Sequence, residues 1–273
     1  MIMTSNTFVF PIVRKDYILD ALKSLHLMTP NNYNVIVVDQ TQPDREFEEK
    51  LRLHCDLWVK TKKNYGFSQA VNFGIRLAPT EYVTICNDDV VFVWSGWWQG
   101  IMETFKRYDT AICVNPMSPK EPGWGYGEEG FREHLTFKES IGPENIERLI
   151  EEKNGQMIDG LVCWCTTFKR KTLVDEIGLF DERWFPGGGE DYDLMAKIYQ
   201  AGYRALATSL SWCWHWWGKS KDETDGLSMA LPAAREYWCK MGEIWPEGFD
   251  VWGKDPETRK AYPRDPDTVR MPL

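Results

Sequence analysis

Two acidic clusters and one histidine carry most of the chemistry this sequence offers. Asn87-Asp88-Asp89 closes the apolar run Tyr82-Val83-Thr84-Ile85-Cys86. Far downstream comes Gly187-Gly188-Gly189-Glu190-Asp191-Tyr192-Asp193, and then His215 within Trp212-Cys213-Trp214-His215-Trp216-Trp217. A carboxylate pair at a strand end suits a hard divalent cation, Mn²⁺ or Mg²⁺. An imidazole can complete such a site. A carboxylate that opens a helix beyond a glycine run can serve as a general base. Together these residues point to an enzyme that handles a metal-bound diphosphate and activates a hydroxyl nucleophile.

Each of these features also has a plainer reading. Asp39 ends the apolar run Val35-Ile36-Val37-Val38. There it either caps its loop or accepts hydrogen bonds from a base or ribose beyond the carboxyl end of a strand. Asn-Asp-Asp is good turn chemistry. However, Val90-Val91-Phe92-Val93 resumes an apolar run at once, and two acids between apolar runs favour a metal or ribose role. Glu190 and Asp191 suit the positive end of a helix macrodipole without any catalytic part. The glycines before them let a backbone approach a ligand closely, but no Gly-Lys-Ser follows and this is no Walker loop. His215 among four tryptophans is either a satisfied core residue or a metal ligand. His26, His54 and His134 have no acidic pattern near them.

Alternating elements must position these groups. Thr7–Val13 reads as a strand, Ile18–Leu25 as a helix face, and Val35–Asp39 as a buried parallel strand. A helix over 47–53, a short strand over 57–59, a helix from Phe67 to Ile75 and the strand over 82–86 follow. Trp98, Ile101, Met102 and Phe105 form the next helix face, with Ser95 as its N-cap, and Ala111–Val114 is a further strand. This alternation predicts a single α/β domain, a Rossmann-like, mostly parallel sheet with helices on both faces. Residues 116–142 break the pattern with Pro, Gly, Glu and aromatics, as functional loops do. A helix over 143–153, a strand over 161–168, a short helix over 171–177 stopped by Gly178, a helix over 191–201 and a strand over 203–207 complete the core. A last helix is expected near 229–241, before a tail over 246–273.

Composition narrows the class. The 273 residues are 43% hydrophobic, enough for a full core. The net charge of −9 disfavours nucleic acid as a partner, because phosphate affinity rests on Lys and Arg. Seven cysteines without framework spacing read as free buried thiols in a reducing compartment, hence a cytoplasmic location. No signal peptide and no spanning segment is expected, so any membrane contact is peripheral. Fourteen tryptophans suit either packing or a platform on which sugar rings stack.

The ordered set of motifs resembles family 2 glycosyltransferases of the GT-A fold. The matching pieces are Val37-Val38-Asp39, Asn64-Tyr65-Gly66-Phe67-Ser68-Gln69-Ala70-Val71-Asn72-Phe73-Gly74, Asn87-Asp88-Asp89, Gly178-Leu179-Phe180-Asp181-Glu182-Arg183, Glu190-Asp191-Tyr192-Asp193-Leu194 and Tyr237-Trp238-Cys239-Lys240-Met241-Gly242. They span roughly residues 5–242. The resemblance implies a domain over 1–245, with a nucleotide-sugar half over 1–115 and an acceptor half over 116–245. It implies a donor site at Pro11, Val13, Asp39, Asn64, Gly66, Asn87 and Asp88, and a metal held by Asp89 and His215. Asp191 is then the base, with Glu190 beside it. Trp124, Trp184, Gly188 and Gly189 are expected on the acceptor side. The implied reaction is inverting transfer from a UDP-, GDP- or dTDP-sugar to a hydroxyl, on a glycan or another acceptor. Asn87 stands where the family's DXD-type motif has its first acid. A GT-A-like nucleotidyltransferase fits less well, because the loop Pro11–Asp16 has no glycine. A non-catalytic carbohydrate-binding protein would need neither Asp191 nor a nucleotide pocket.

Overall fold

Strand β1 (Asn6–Ile12) sends Phe8, Phe10 and Ile12 to one face and Val9 to the other, as a period of two requires. All four are fully buried, each contributing roughly 1.5–3 kcal/mol, so β1 needs a helical layer on both sides. The computed structural model supplies them. It describes residues 6–30, 32–119, 138, 142–153, 155–160, 163–184, 187 and 190–216. Helices α1 (Ile18–Met28) and α2 (Arg45–Arg52) pack on the Phe8–Phe10 face, and α3 (Phe67–Leu77) packs on the Val9 face. In α3, a side chain at Gly74 would run into Val9, so the helix owes its close approach to that glycine.

Strands β2 (Tyr33–Asp39), β3 (Leu57–Lys60) and β4 (Tyr82–Cys86) join β1 in parallel, in the order β3-β2-β1-β4. The sheet continues through β8 (Cys165–Lys169), β6 (Ala111–Met117), β9 (Arg204–Trp212) and β7 (Met157–Asp159). Only β7 and β8 run against the rest. The expected α/β, mostly parallel sheet is therefore present. A separate two-stranded ribbon pairs β5 (Val90–Val91) with β10 (Trp214–His215).

Several expected boundaries shift. Helix α4 (Trp97–Arg107) starts after Gly96 rather than a Ser95 cap, and it buries Trp97, Gly100, Ile101, Thr104 and Phe105. The face turns because α4 lies against β9, where any side chain at residue 100 would strike the Leu210 carbonyl. The strand expected over 161–168 begins only at Cys165, where pairing with β4 begins. The helix expected over 171–177 is one α turn, α6 (Arg170–Thr172), that widens into a π turn over Leu173–Ile177 and ends at Gly178 with φ 88°. Strand β9 runs on to Trp212, well past its expected end at Ala207. Helices α5 (Pro143–Lys153) and α7 (Glu190–Gln200) stand where the spacing put them. Most of the loop expected over 116–142, the helix expected near 229–241 and the tail lie outside the described residues.

This topology has the switch point beyond which open α/β sheets carry their ligands. The connections on either side of β1 leave to opposite faces, through α1 and α3, so a crevice opens beyond the carboxyl ends of β1 and β4. Asp39, Asn87–Asp89 and the chain after β9 all reach that same edge, because β2, β4 and β9 share one direction.

Candidate active site

The acidic pair is held by strand pairing on both sides. Past β4, the Asn87 N–H donates to the Trp164 carbonyl at 2.8 Å, one step beyond the Cys86–Cys165 pair. Past Asp89, the chain enters the β5–β10 ribbon, where Val90 faces His215 and the Trp216 N–H donates to the Asp89 carbonyl at 3.0 Å. That register brings His215 Nε2 to 3.1 Å from Asp89 Oδ1. Both side chains are buried, at 5% and 1% exposure. The His215 backbone N–H donates to Ser118 Oγ, and Trp164 stacks flat on the imidazole, with centroids 4.9 Å apart and planes 10° apart.

The residues at this point fit a divalent cation. Both Asp89 carboxylate oxygens are buried and accept no hydrogen bond, an expensive state for a carboxylate without a cation. Burial and the Asp89 charge push the neighbouring Asp88 carboxyl up to about 7. Among the described residues no three His, Cys, Asp or Glu side chains form a metal cage. Asp89 and His215 are the side chains that would hold such a cation, and a site with one carboxylate would draw its remaining oxygens from phosphate and water, as Mg²⁺-type sites do.

The residues expected on the donor side between Pro11 and Gly66 lie along the β1–β3 ends. Pro11 lies in β1 opposite Val38, and Val13 is exposed just beyond it. Asp39 is fully buried. Its Oδ1 accepts from the Thr41 N–H at 2.8 Å, and its Oδ2 accepts from Trp58 Nε1 and Lys60 Nζ, both at 3.1 Å. Three donors of the protein itself thus engage the carboxylate expected to meet the base. Asn64 Oδ1 takes the Gly66 N–H at 2.8 Å, and Gly66, with φ 85°, caps α3. Gln40 ties this turn to β2, accepting from the Tyr65 N–H at 2.7 Å.

Helix α7 presents its acids differently. Glu190 and Asp193 are buried, and Asp193 pairs with Lys197 at 2.9 Å. Asp191 is half-buried, with Oδ1 accepting from the Tyr192 N–H at 2.9 Å. The Asp191 and Glu190 charges lie close enough to Cys163 to add to the burial that raises its thiol. Gly187 sits against Phe67 at the start of α3. The glycine-run turn, α3 and the Cys163-Trp164 segment therefore meet.

The tryptophans require correction. Trp184, Trp212 and Trp214 are buried at 3%, 0% and 3% exposure. Trp212 and Trp214 pack among Val93, Met117, Ile146 and Leu149, and Trp212 Nε1 donates to the Ser209 carbonyl. Trp212 and Trp214 are therefore packing, and the Trp184 ring expected on the acceptor side is buried rather than open. Trp124, Gly188 and Gly189 lie outside the described residues. No role for Trp58, Lys60, Trp164 or Asn72 emerged from the sequence. Asn72 bridges α3 to the loop before α7, donating to the Phe180 carbonyl at 2.8 Å and to Glu182 Oε1 at 3.0 Å, and accepting from the Phe180 N–H at 3.1 Å. Its place beside Val71 on the buried face of α3 was the available signal, because a polar side chain there needs a buried partner.

A buried carboxylate–histidine pair at a sheet switch point, on a mostly parallel α/β sheet flanked by helices, is the arrangement of a GT-A fold. The family described as Glycosyl transferase family 2 matches residues 8–175, and the chain belongs to that family. Comparison with curated proteins by sequence found no match. Among solved structures, GalNAc-T7 with UDP, GalNAc and Mn²⁺ is similar at a TM-score of 0.62 and 16% identity, over 91% of this chain and 52% of that one. The mannosyltransferase PcManGT from Pyrobaculum calidifontis, in complex with GDP-Man and Mn²⁺, is similar at 0.58 and 17%, over 87% and 64%. S. aureus TarS 1-349 is similar at 0.53 and 16%, over 90% and 74%. The chain thus spans about half of the first and under two thirds of the second. No helix among the described residues is long and apolar enough to cross a membrane.

Proposed function

We propose that the protein transfers a sugar from a nucleoside diphosphate donor to an acceptor hydroxyl with inversion at the anomeric carbon. The observation that carries this reading is the buried Asp89–His215 pair at the β4 edge, with Asp88 beside it and the Asp191 helix reaching the same segment through Cys163. Asp88, Asn64, Gly66 and the Asp39 corner hold the nucleotide sugar. Because Asp39 is already engaged, it acts on the base through the Lys60 and Trp58 side chains it fixes. Asp89 and His215 hold a divalent cation, which neutralises the departing diphosphate when bound.

Asp191 takes the proton from the acceptor hydroxyl. The freed oxygen forms its bond to the anomeric carbon from the face opposite the diphosphate, and the carbon–phosphate oxygen bond breaks with its electrons staying on the nucleoside diphosphate. The neighbours crystallised with a UDP or GDP ligand and Mn²⁺ support the choice of donor class. The test is a panel of UDP-, GDP- and dTDP-sugars with Mn²⁺, scored for release of nucleoside diphosphate. One donor turning over in a metal-dependent way is expected, and no turnover on any donor with a range of glycan acceptors would refute the reading.

A further inference from the structure

We infer that Trp164 is a positioning residue for the metal site, joining its two ligand-bearing segments into one rigid unit. The inference rests on the reading of Asp89 and His215 as the cation's ligands. Two separate contacts support it. The Trp164 carbonyl receives the Asn87 N–H at 2.8 Å and so fixes the start of the acidic segment. The Trp164 ring lies flat on His215, with centroids 4.9 Å apart and planes 10° apart.

The need for such a clamp follows from local structure. His215 stands in a ribbon strand of only two residues, Trp214–His215. Backbone pairing that short sets the position of its Cα, but not the rotation of its ring. The 3.1 Å approach of Nε2 to Asp89 Oδ1 depends on how the ring is turned. A flat partner 1% exposed, itself anchored in the core, holds that orientation. Trp164 lies one residue before β8, whose Cys165 pairs with Cys86 of β4, so the same strand pairing that fixes the acids also fixes the ring. The adjoining Cys163 shares a core cluster with Leu194, Met195 and Ile198 of α7, so the segment packs with the base helix as well. Groups that orient a metal ligand without touching the metal typically affect affinity by about 10–100-fold when removed.

The experiment measures Mn²⁺ binding to the nucleotide-free protein by electron paramagnetic resonance of the unbound ion. Wild type, Trp164→Phe, Trp164→Leu and Asp89→Ala are compared, with folding followed by circular dichroism. Phe keeps a flat ring over His215; Leu fills much of the space without one. Trp164→Phe is expected to bind Mn²⁺ within about threefold of wild type and Trp164→Leu at least about tenfold more weakly. Equal binding by the Leu and Phe variants, whether both normal or both weak, overturns the inference. Should the Leu variant not fold, the Phe variant decides: a tenfold loss there removes the ring face as the cause. Normal Mn²⁺ binding by Asp89→Ala would instead overturn the ligand assignment on which the inference stands, and the two failures are thereby distinct.

Discussion

Replacing Asp191 by Asn separates the chemical step from everything else the helix does. Of the three acids in the first turn of α7, Glu190 and Asp193 are buried, and Asp193 is committed to Lys197 at 2.9 Å. Asp191 alone is half-exposed. Its contact within the helix is the Tyr192 N–H on Oδ1, which the Asn oxygen keeps. The variant therefore preserves shape, the helix start and that hydrogen bond, and loses the ability to take a proton. General-base catalysis is typically worth about 10²–10⁴ in rate. At about 1.36 kcal/mol per tenfold, that is roughly 2.7–5.5 kcal/mol of barrier. Single-turnover transfer rates with the accepted donor should fall by at least about a hundredfold. Calorimetric binding of donor and Mn²⁺ should stay near wild type. Asp193→Asn gives the contrast: it loses an i,i+4 ion pair whose carboxylate is buried, so it lowers the melting temperature measurably, yet leaves the rate within a few-fold. A rate for Asp191→Asn within threefold of wild type would refute the assignment and leave Glu190 as the next candidate.

Three further outcomes follow from the geometry. Asp89→Asn removes a buried carboxylate whose oxygens accept no hydrogen bond, so in EDTA it should melt no lower than wild type, yet lose the rise in melting temperature that Mn²⁺ gives the parent; an undiminished rise would contradict the metal site. Lys60→Met strips Asp39 of its cationic partner at 3.1 Å and should cost up to about 3 kcal/mol in urea denaturation, with Asp39→Asn added to it recovering part; a neutral single variant would show that the pair contributes nothing. Asn72→Ala removes three hydrogen bonds to the Phe180–Glu182 loop and strands a buried Phe180 N–H, for about 2–3 kcal/mol. Its kcat should fall more than its donor affinity, since the loop leads to α7; the reverse split would assign Asn72 to the donor pocket.

Much of the parallel half was legible because buried parallel strands are continuous apolar runs. Val35–Asp39 and Tyr82–Asp89 each announce both the strand and the acid beyond its carboxyl end. The insertion of β8 between β4 and β6 was not legible. Which strand pairs with which is set by long-range packing, and nothing local to Cys165 encodes Cys86 as its partner. For that reason Trp164 escaped notice although it sits beside Asn87. The donors on Asp39 were hidden in the same way, since Lys60 meets Asp39 through the β2–β3 register. The two-residue strand at His215 is too short to carry a period, so its pairing with Val90 emerged only from the fold. The tryptophans could not be sorted from sequence, because an indole suits a core and an open sugar surface equally well, and Trp184, Trp212 and Trp214 proved buried.

The central claim is single displacement at the anomeric carbon, driven by the Asp191 base opposite a metal-bound diphosphate. Its most direct test is a proton NMR time course of the first product formed from the accepted nucleotide sugar with Mn²⁺, read at the anomeric resonance before mutarotation. The expected product has the anomeric configuration opposite to that of the donor and forms together with the nucleoside diphosphate. A product that retains the donor's configuration would contradict it.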